Sequence, residues 1–144
     1  MNIYFCGSIR GGRQLASSYE KLIQMVQKYG QVLTEHLGSD DIIRNKDRVL
    51  SDREIHDRDL KWVRESDAVV AEVTVPSLGV GYEIGRAIEM GKPVLCIFNE
   101  DSEFTLSAMI AGSEGVINHR YENPEDLDFI LDDFLTAHAP GRTS

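Results

Sequence analysis

Hydrophobic residues in this chain alternate between two periods. Ile3–Cys6 is a short apolar run that ends at Gly7, and it reads as a strand beginning almost at the first residue. From about residue 13 to 29 the spacing becomes helical: Leu15, Tyr19, Leu22, Ile23, Val26 and Tyr29 share one face, and Gly30 stops the run. Val32-Leu33 is a second short strand, and the polar, aperiodic Leu37–Leu50 stretch reads as a loop. Ser51-Asp52-Arg53-Glu54 has capping-box spacing, which predicts a helix running to about Ser66. Ala68-Val69-Val70-Ala71 has no polar alternation, as expected of a strand covered on both faces. A glycine-rich turn then leads into a helix of about ten residues ending at Gly91. Pro93–Phe98 predicts a fourth strand, Thr105–Ala111 a short helix, and Val116-Ile117 a weak fifth strand. Asn123-Pro124 supplies an N-cap followed by proline, opening a last helix that carries Leu127, Ile130, Leu131 and Phe134.

Strand–helix alternation of this kind predicts an α/β fold, a five-stranded parallel sheet with helices on both faces. The 144 residues suit one domain over 1–137, with 138–144 expected as a disordered tail. With 15 Lys+Arg against 24 Asp+Glu, the net charge of -9 argues against a nucleic-acid polymer as partner but leaves room for a small anion. No apolar run reaches membrane length, so no membrane partner is expected, and the first residues do not read as a secretion signal. Two cysteines, Cys6 and Cys96, cannot form a disulfide framework and read as buried thiols in a cytoplasmic protein, or a nuclear one in a eukaryote. No metal-ligand spacing is present around the four histidines, and no metal is expected.

In parallel sheets, ligands bind at the carboxyl ends of the strands, and three unusual stretches lie there. Gly7-Ser8-Ile9-Arg10-Gly11-Gly12-Arg13 follows strand one; its glycines permit close backbone approach and its arginines suit an anion, though it could equally be a plain strand-to-helix turn. Ser77–Gly85 follows strand three. It misses the dinucleotide fingerprint by one position but places a Gly-x-Gly turn at a helix start, with Glu83 in the expected first turn. There Glu83 either interacts with the helix dipole or serves as a carboxylate kept ionised for nucleophilic attack. Asp59 is the third feature: it falls inside the apolar stripe marked by Ile55, Leu60, Trp62 and Val63. A carboxylate on a buried face is costly unless it is paired or used, so a salt bridge, a sheltered helix edge and catalysis all stay open. His56, one turn earlier, reads as a partly buried structural histidine, and Glu72 as a further carboxylate without a motif. Two carboxylates beside an anion site point to glycosidic cleavage at a phosphorylated sugar.

Several collinear strings resemble the 2'-deoxynucleoside 5'-phosphate N-hydrolases, within the nucleoside 2-deoxyribosyltransferase superfamily. They are Tyr4–Arg13, Val32–His36, Ile55–Trp62, Val69–Glu83 and Leu106–Ile110, and together they span roughly residues 2–135. The resemblance implies a flavodoxin-like fold and a homodimer that takes a small deoxynucleotide as substrate and needs no cofactor. It implies Glu83 as nucleophile toward the anomeric carbon, Asp59 as the second catalytic carboxylate assisting departure of the base, and Tyr4 beside the deoxyribose. Gly7, Ser8, Ile9, Arg10, Gly11, Gly12 and Arg13 correspond to the loop that wraps the nucleotide, with Ile9 beside C2'. His36 corresponds to a residue near the base, and Ser77 and Gly79 to phosphate contacts. Ser107 corresponds to a phosphate ligand delivered from the partner subunit, with Met109 close by. A deoxyribosyltransferase and a non-catalytic nucleotide-binding module are the alternatives.

Overall fold

The computed structural model describes residues 1–8, 12–35 and 50–141, with the backbone alone over 12–17. Its elements run in the order β1 (Asn2–Gly7), α1 (Gly12–Gln27), β2 (Gln31–Leu33), α2 (Asp52–Glu65), β3 (Ala68–Glu72), α3 (Leu78–Glu89), β4 (Val94–Asn99), α4 (Ala108–Ala111), β5 (Ile117–Tyr121), a 3₁₀ turn (Pro124–Leu127) and α5 (Asp128–Ala137). The five strands form one sheet in the order β2-β1-β3-β4-β5, every adjacent pair parallel. This is the flavodoxin-like order, whose switch point lies between β1 and β3.

The central strands are apolar throughout because both faces are covered. Ile3, Phe5, Val70, Leu95 and Ile97 pack on one face with Leu22 and Val26 of α1 and Leu131, Phe134 and Leu135 of α5. The alternate residues Tyr4, Cys6, Val69, Ala71 and Cys96 face Val63 of α2 and Val80, Ile84 and Ala87 of α3. The period-two alternation of strand side chains thus divides the core into two layers, and the second layer carries the candidate site.

Local signals fix the helices that flank that layer. The Ser51 Oγ accepts from the Glu54 N–H at 3.1 Å, and the Ser51 N–H donates to the Glu54 carboxylate at 3.1 Å, closing the predicted capping box. Ser66 caps the other end of α2, its hydroxyl donating to the Val63 carbonyl at 2.7 Å. α3 differs from expectation: the glycine-rich segment is no turn but helix, which starts at Leu78 because the Ser77 side chain accepts from the Val80 N–H. Gly91, at φ 74°, lies just past its end.

The other differences lie near the C-terminus. The helix expected over Thr105–Ala111 contracts to α4, capped by Ser107. β5 runs on from Ile117 through the polar Asn118-His119-Arg120 to Tyr121, since an edge strand needs burial on fewer sides. Asp126 accepts from the backbone N–H of Glu122 and Asn123, and the turn it opens passes into α5. His138 caps α5 with its ring 5.0 Å from that of Phe134, whereas 142–144, the end of the expected tail, lie outside the described residues, as does most of the Leu37–Leu50 loop.

The chain reversal into β2 depends on Gly30. A Cβ there would sit 2.2 Å from the Met1 carbonyl oxygen, which itself accepts from the Gln31 N–H at 3.0 Å. Gly30→Ala is expected to lower stability by about 1–3 kcal/mol, measured by urea unfolding, while Gly81→Ala, whose added Cβ meets nothing within 4 Å, should cost far less.

Candidate active site

The site lies where α2 and α3 pack against the carboxyl ends of β1 and β3. A cavity of about 220 Å³ opens between the two helices, lined by Asp52, Ile55, His56, Asp59, Leu60, Gly79, Tyr82 and Glu83. The two carboxylates singled out from sequence are thus brought together from separate helices. Both are buried, Asp59 at 4% and Glu83 at 8% exposure. Asp59 has this burial because it shares the inner face of α2 with Leu60 and Val63.

Glu83 sits in the second turn of α3, one turn deeper than expected, because the helix begins at Leu78. The field of the helix end therefore acts on it weakly. The expectation of a carboxylate simply held ionised is corrected: its pKa is pushed up to about 8. Burial is the largest cause and the charge of Asp59 the next, while hydrogen bonding from Tyr4 pulls the other way. The Glu83 carboxyl therefore keeps its proton near neutrality. The Glu83 Oε2 has no hydrogen-bond partner among the described residues. Tyr4 of β1 lies against this pair, its own hydroxyl held protonated by burial and by neighbouring negative charge. Its ring centroid stands 6.4 Å from that of Trp62.

Sequence reasoning missed two participants. Arg58 donates from Nε to Asp59 Oδ1 at 3.0 Å, and its guanidinium carbon lies 4.7 Å from the Trp62 ring centroid. Its Nη2 also reaches Glu35 at 3.9 Å, and the Glu35 carboxyl is pushed up by burial and by Asp59. Glu35 follows β2 and lies far from Arg58 in sequence, so no spacing rule links them. The i,i+4 step from Arg58 to Trp62 was visible and marks a stacking pair.

His56 departs from its expected role: its side chain is 47% exposed and lines the cavity rim, with Nε2 2.9 Å from the Tyr82 hydroxyl. Arg86 donates to that hydroxyl at 2.6 Å. His56 is exposed because α2 turns this row toward α3's outer edge.

Of the other predicted site residues, Gly7 ends β1 and Ser8 is buried immediately after it. Gly12 and Arg13 open α1, while Ile9, Arg10, Gly11 and His36 lie outside the described residues, as does the Arg13 side chain. Ser77 caps α3 and Gly79 lines the cavity. Ser107 and Met109 are exposed, Met109 at 83%, and neither lines the cavity. With only four residues in α4, Ile110 packs on the chain's own core and Met109 points to solvent. Among the described residues no group of three or more His, Cys, Asp or Glu side chains is arranged to hold a metal ion.

Both the sequence and the fold are matched among known proteins. The family model described as nucleoside 2-deoxyribosyltransferase matches residues 3–130, and the chain belongs to that family. It is 43% identical over 146 residues to a 5-hydroxymethyl-dUMP N-hydrolase of Homo sapiens, covering 99% of this chain and 83% of that one. A 5-hydroxymethyl-dUMP N-hydrolase of Esox lucius is 48% identical over 139 residues, covering 94% and 96%. Among solved structures, a Clostridium botulinum CMP N-glycosidase superposes with a TM-score of 0.69 at 21% identity, covering 93% of this chain and 100% of that one. A 2-deoxyribosyltransferase from Bacillus psychrosaccharolyticus superposes at 0.61 with 18% identity, covering 89% and 90%.

The raised pKa of Glu83 links this site to stability. A carboxyl that binds its proton more tightly in the folded state favours folding fully below its ordinary value of 4.5, and that contribution is lost as pH rises through about 8. Glu83→Gln, which mimics the protonated form, should match the wild type near pH 4.5 and exceed it by about 1 kcal/mol or more above pH 8. Denaturant unfolding at both pH values checks this; a difference independent of pH would contradict it.

Proposed function

We infer that this protein hydrolyses the N-glycosidic bond of 2'-deoxynucleoside 5'-monophosphates, releasing the free base and 2-deoxyribose 5-phosphate. The Glu83–Asp59 pair carries this reading, because it sets a protonated Glu83 carboxyl beside a second buried carboxyl on one cavity. The names of the relatives support it: 5-hydroxymethyl-dUMP, their stated substrate, belongs to this class of compound.

Glu83 serves as nucleophile. As the bond from C1' to the base breaks, the proton held by the pair passes through Asp59 to the departing base. Glu83, left anionic, forms an ester bond to C1'. Water then attacks C1', Asp59 takes up its proton, and Glu83 departs as a carboxylate, restoring the pair. Tyr4 hydrogen-bonds Glu83 and steadies its anion when attack requires it. Arg58 stays beside Asp59 throughout, so the charge exchanged between the carboxylates is never left without a cation.

The phosphate belongs to the strand-end loops. Ser8 follows β1, and Ser77 and Gly79 open α3, whose free N–H groups favour an anion. Gly7 and Ile9–Arg13 wrap the nucleotide in this reading, and His36 approaches the base. Incubation with a panel of deoxynucleoside monophosphates that includes 5-hydroxymethyl-dUMP tests the assignment. Wild type should release base and sugar phosphate, and Glu83→Ala should lose about a hundredfold or more in turnover. Deoxynucleosides without the 5'-phosphate should be poor substrates. Equal efficiency with and without the phosphate, or exchange of base when adenine is in excess, would favour a deoxyribosyltransferase.

The active assembly in this reading is a homodimer. Ser107 and Met109 are exposed and away from their own chain's cavity, which suits delivery of the Ser107 hydroxyl to a neighbour's phosphate. Free, buried Cys6 and Cys96 suit a reducing, cytoplasmic setting. Ser107→Ala should weaken nucleotide binding by roughly 10- to 100-fold, the value of a charge-assisted hydrogen bond. Mixed with Glu83→Ala under subunit exchange, it should regain activity above the sum of the two variants. A fully active monomer in sedimentation would exclude delivery in trans.

A further inference from the structure

Glu72 ends β3 on the face opposite the catalytic pair, and the chemistry above makes no use of it. Its exposure is 1%, and no cation pairs with it among the described residues. A carboxylate so placed is expensive; an apolar residue would serve the core at lower cost. The partners it has are neutral: one follows β3 itself and the other ends β5. The Thr74 N–H donates to Oε1 at 2.7 Å, and the Tyr121 hydroxyl at the end of β5 donates to Oε2. The Thr74 hydroxyl oxygen in turn accepts from the Asn99 N–H at 2.8 Å, at the end of β4. On the other side Glu72 is in register with Gly7 of β1. A Cβ on Gly7 would fall 3.2 Å from Tyr19 Cζ and 3.3 Å from the Glu72 Cβ. Glycine therefore lets the Tyr19 ring and Glu72 close over the end of β1, where Tyr19 interacts with the Ser8 backbone.

We propose that Glu72 is a positioning residue: its buried carboxyl bonds the segment that leaves β3 and the end of β5, braces β4 through Thr74 and β1 through the Tyr19 ring, and so sets the loops that receive the nucleotide. Thr74 lies three residues before Ser77, the cap of α3, and Ser8 begins the glycine-arginine loop. Fixing both with a single group aligns the two walls between which a phosphate would sit. Burial pushes the Glu72 carboxyl up and the Thr74 and Tyr121 donors pull it back toward the ionised form, in which its hydrogen bonds are stronger than the neutral ones a Gln could make. The role rests on the function proposed above only for its consequence in catalysis; the tethering stands apart from it.

Glu72→Gln and the milder Tyr121→Phe test it by two readouts. Amide hydrogen exchange should quicken in the segments around Ser8 and Thr74–Gly79 while Leu95–Ile97 of β4 keeps its protection. With a deoxynucleoside monophosphate, KM should rise by about tenfold or more and kcat stay within about threefold. Exchange that quickens evenly along the chain, or stays unchanged in both variants, would overturn the proposal, as would local loosening with an unaltered KM. A wild type inert toward all deoxynucleotides would refute the proposed function, while the exchange measurement would still decide the tethering. If Glu72→Gln does not fold, Tyr121→Phe alone decides, by the same two outcomes.

Discussion

The pairing of β1 with β3 is the constraint on which everything else depends. From Ile3 opposite Ala68 to Gly7 opposite Glu72, it decides which side chains look toward α2 and α3 and which toward α1 and α5. A slip of one residue would reverse the faces. Tyr4 would turn away from Glu83, and the Glu72 carboxylate would leave its hydroxyl and amide donors. Both strands are apolar on both faces, so the register rests on how their side chains fit α1 and α5 on one side and α2 and α3 on the other.

With that register set, the acid–base chemistry follows from dryness more than from any specialised group. Glu83 keeps a proton beside Asp59 because burial and the neighbouring carboxylate both disfavour its charged form. Arg58, stacked on Trp62, limits how much charge the site accumulates. The sheet thus supplies rigidity on one side and the helices supply electrostatic strain on the other.

Much of this was legible in the chain because it is local. Ser51 and Glu54 announce a helix, and Asp59 stands out within an apolar stripe of which Leu60 and Val63 are buried while Ile55 stays exposed. Glu83 was identifiable as a residue but not its depth in the helix: Gly79 and Gly81 read as a turn, whereas the Ser77 cap and the packing of Val80 and Ile84 hold them in helical form. The partners of Asp59 were less accessible. Glu35 meets Arg58 only through the parallel crossover that lays β2 beside β1. The length of β5 was hidden because Asn118, His119 and Arg120 satisfy no apolar pattern, and the value of Glu72 was hidden because Tyr121 is remote in sequence.

Those same polar residues bear on how the molecule tolerates crowding. An open parallel sheet ends in two strands with unpaired backbone groups, which invite a further strand from another chain. Here the pairing of β2 spans only three residues. β5 presents Arg120, whose guanidinium carbon lies 5.2 Å from the Phe98 ring centroid, and Asn118, which donates to the Ile110 carbonyl at 3.0 Å. Neither rim is long, flat and greasy enough to template fibrous growth. An incoming strand thus finds little continuous apolar edge on either rim, and any contact between copies would have to use side-chain surfaces instead.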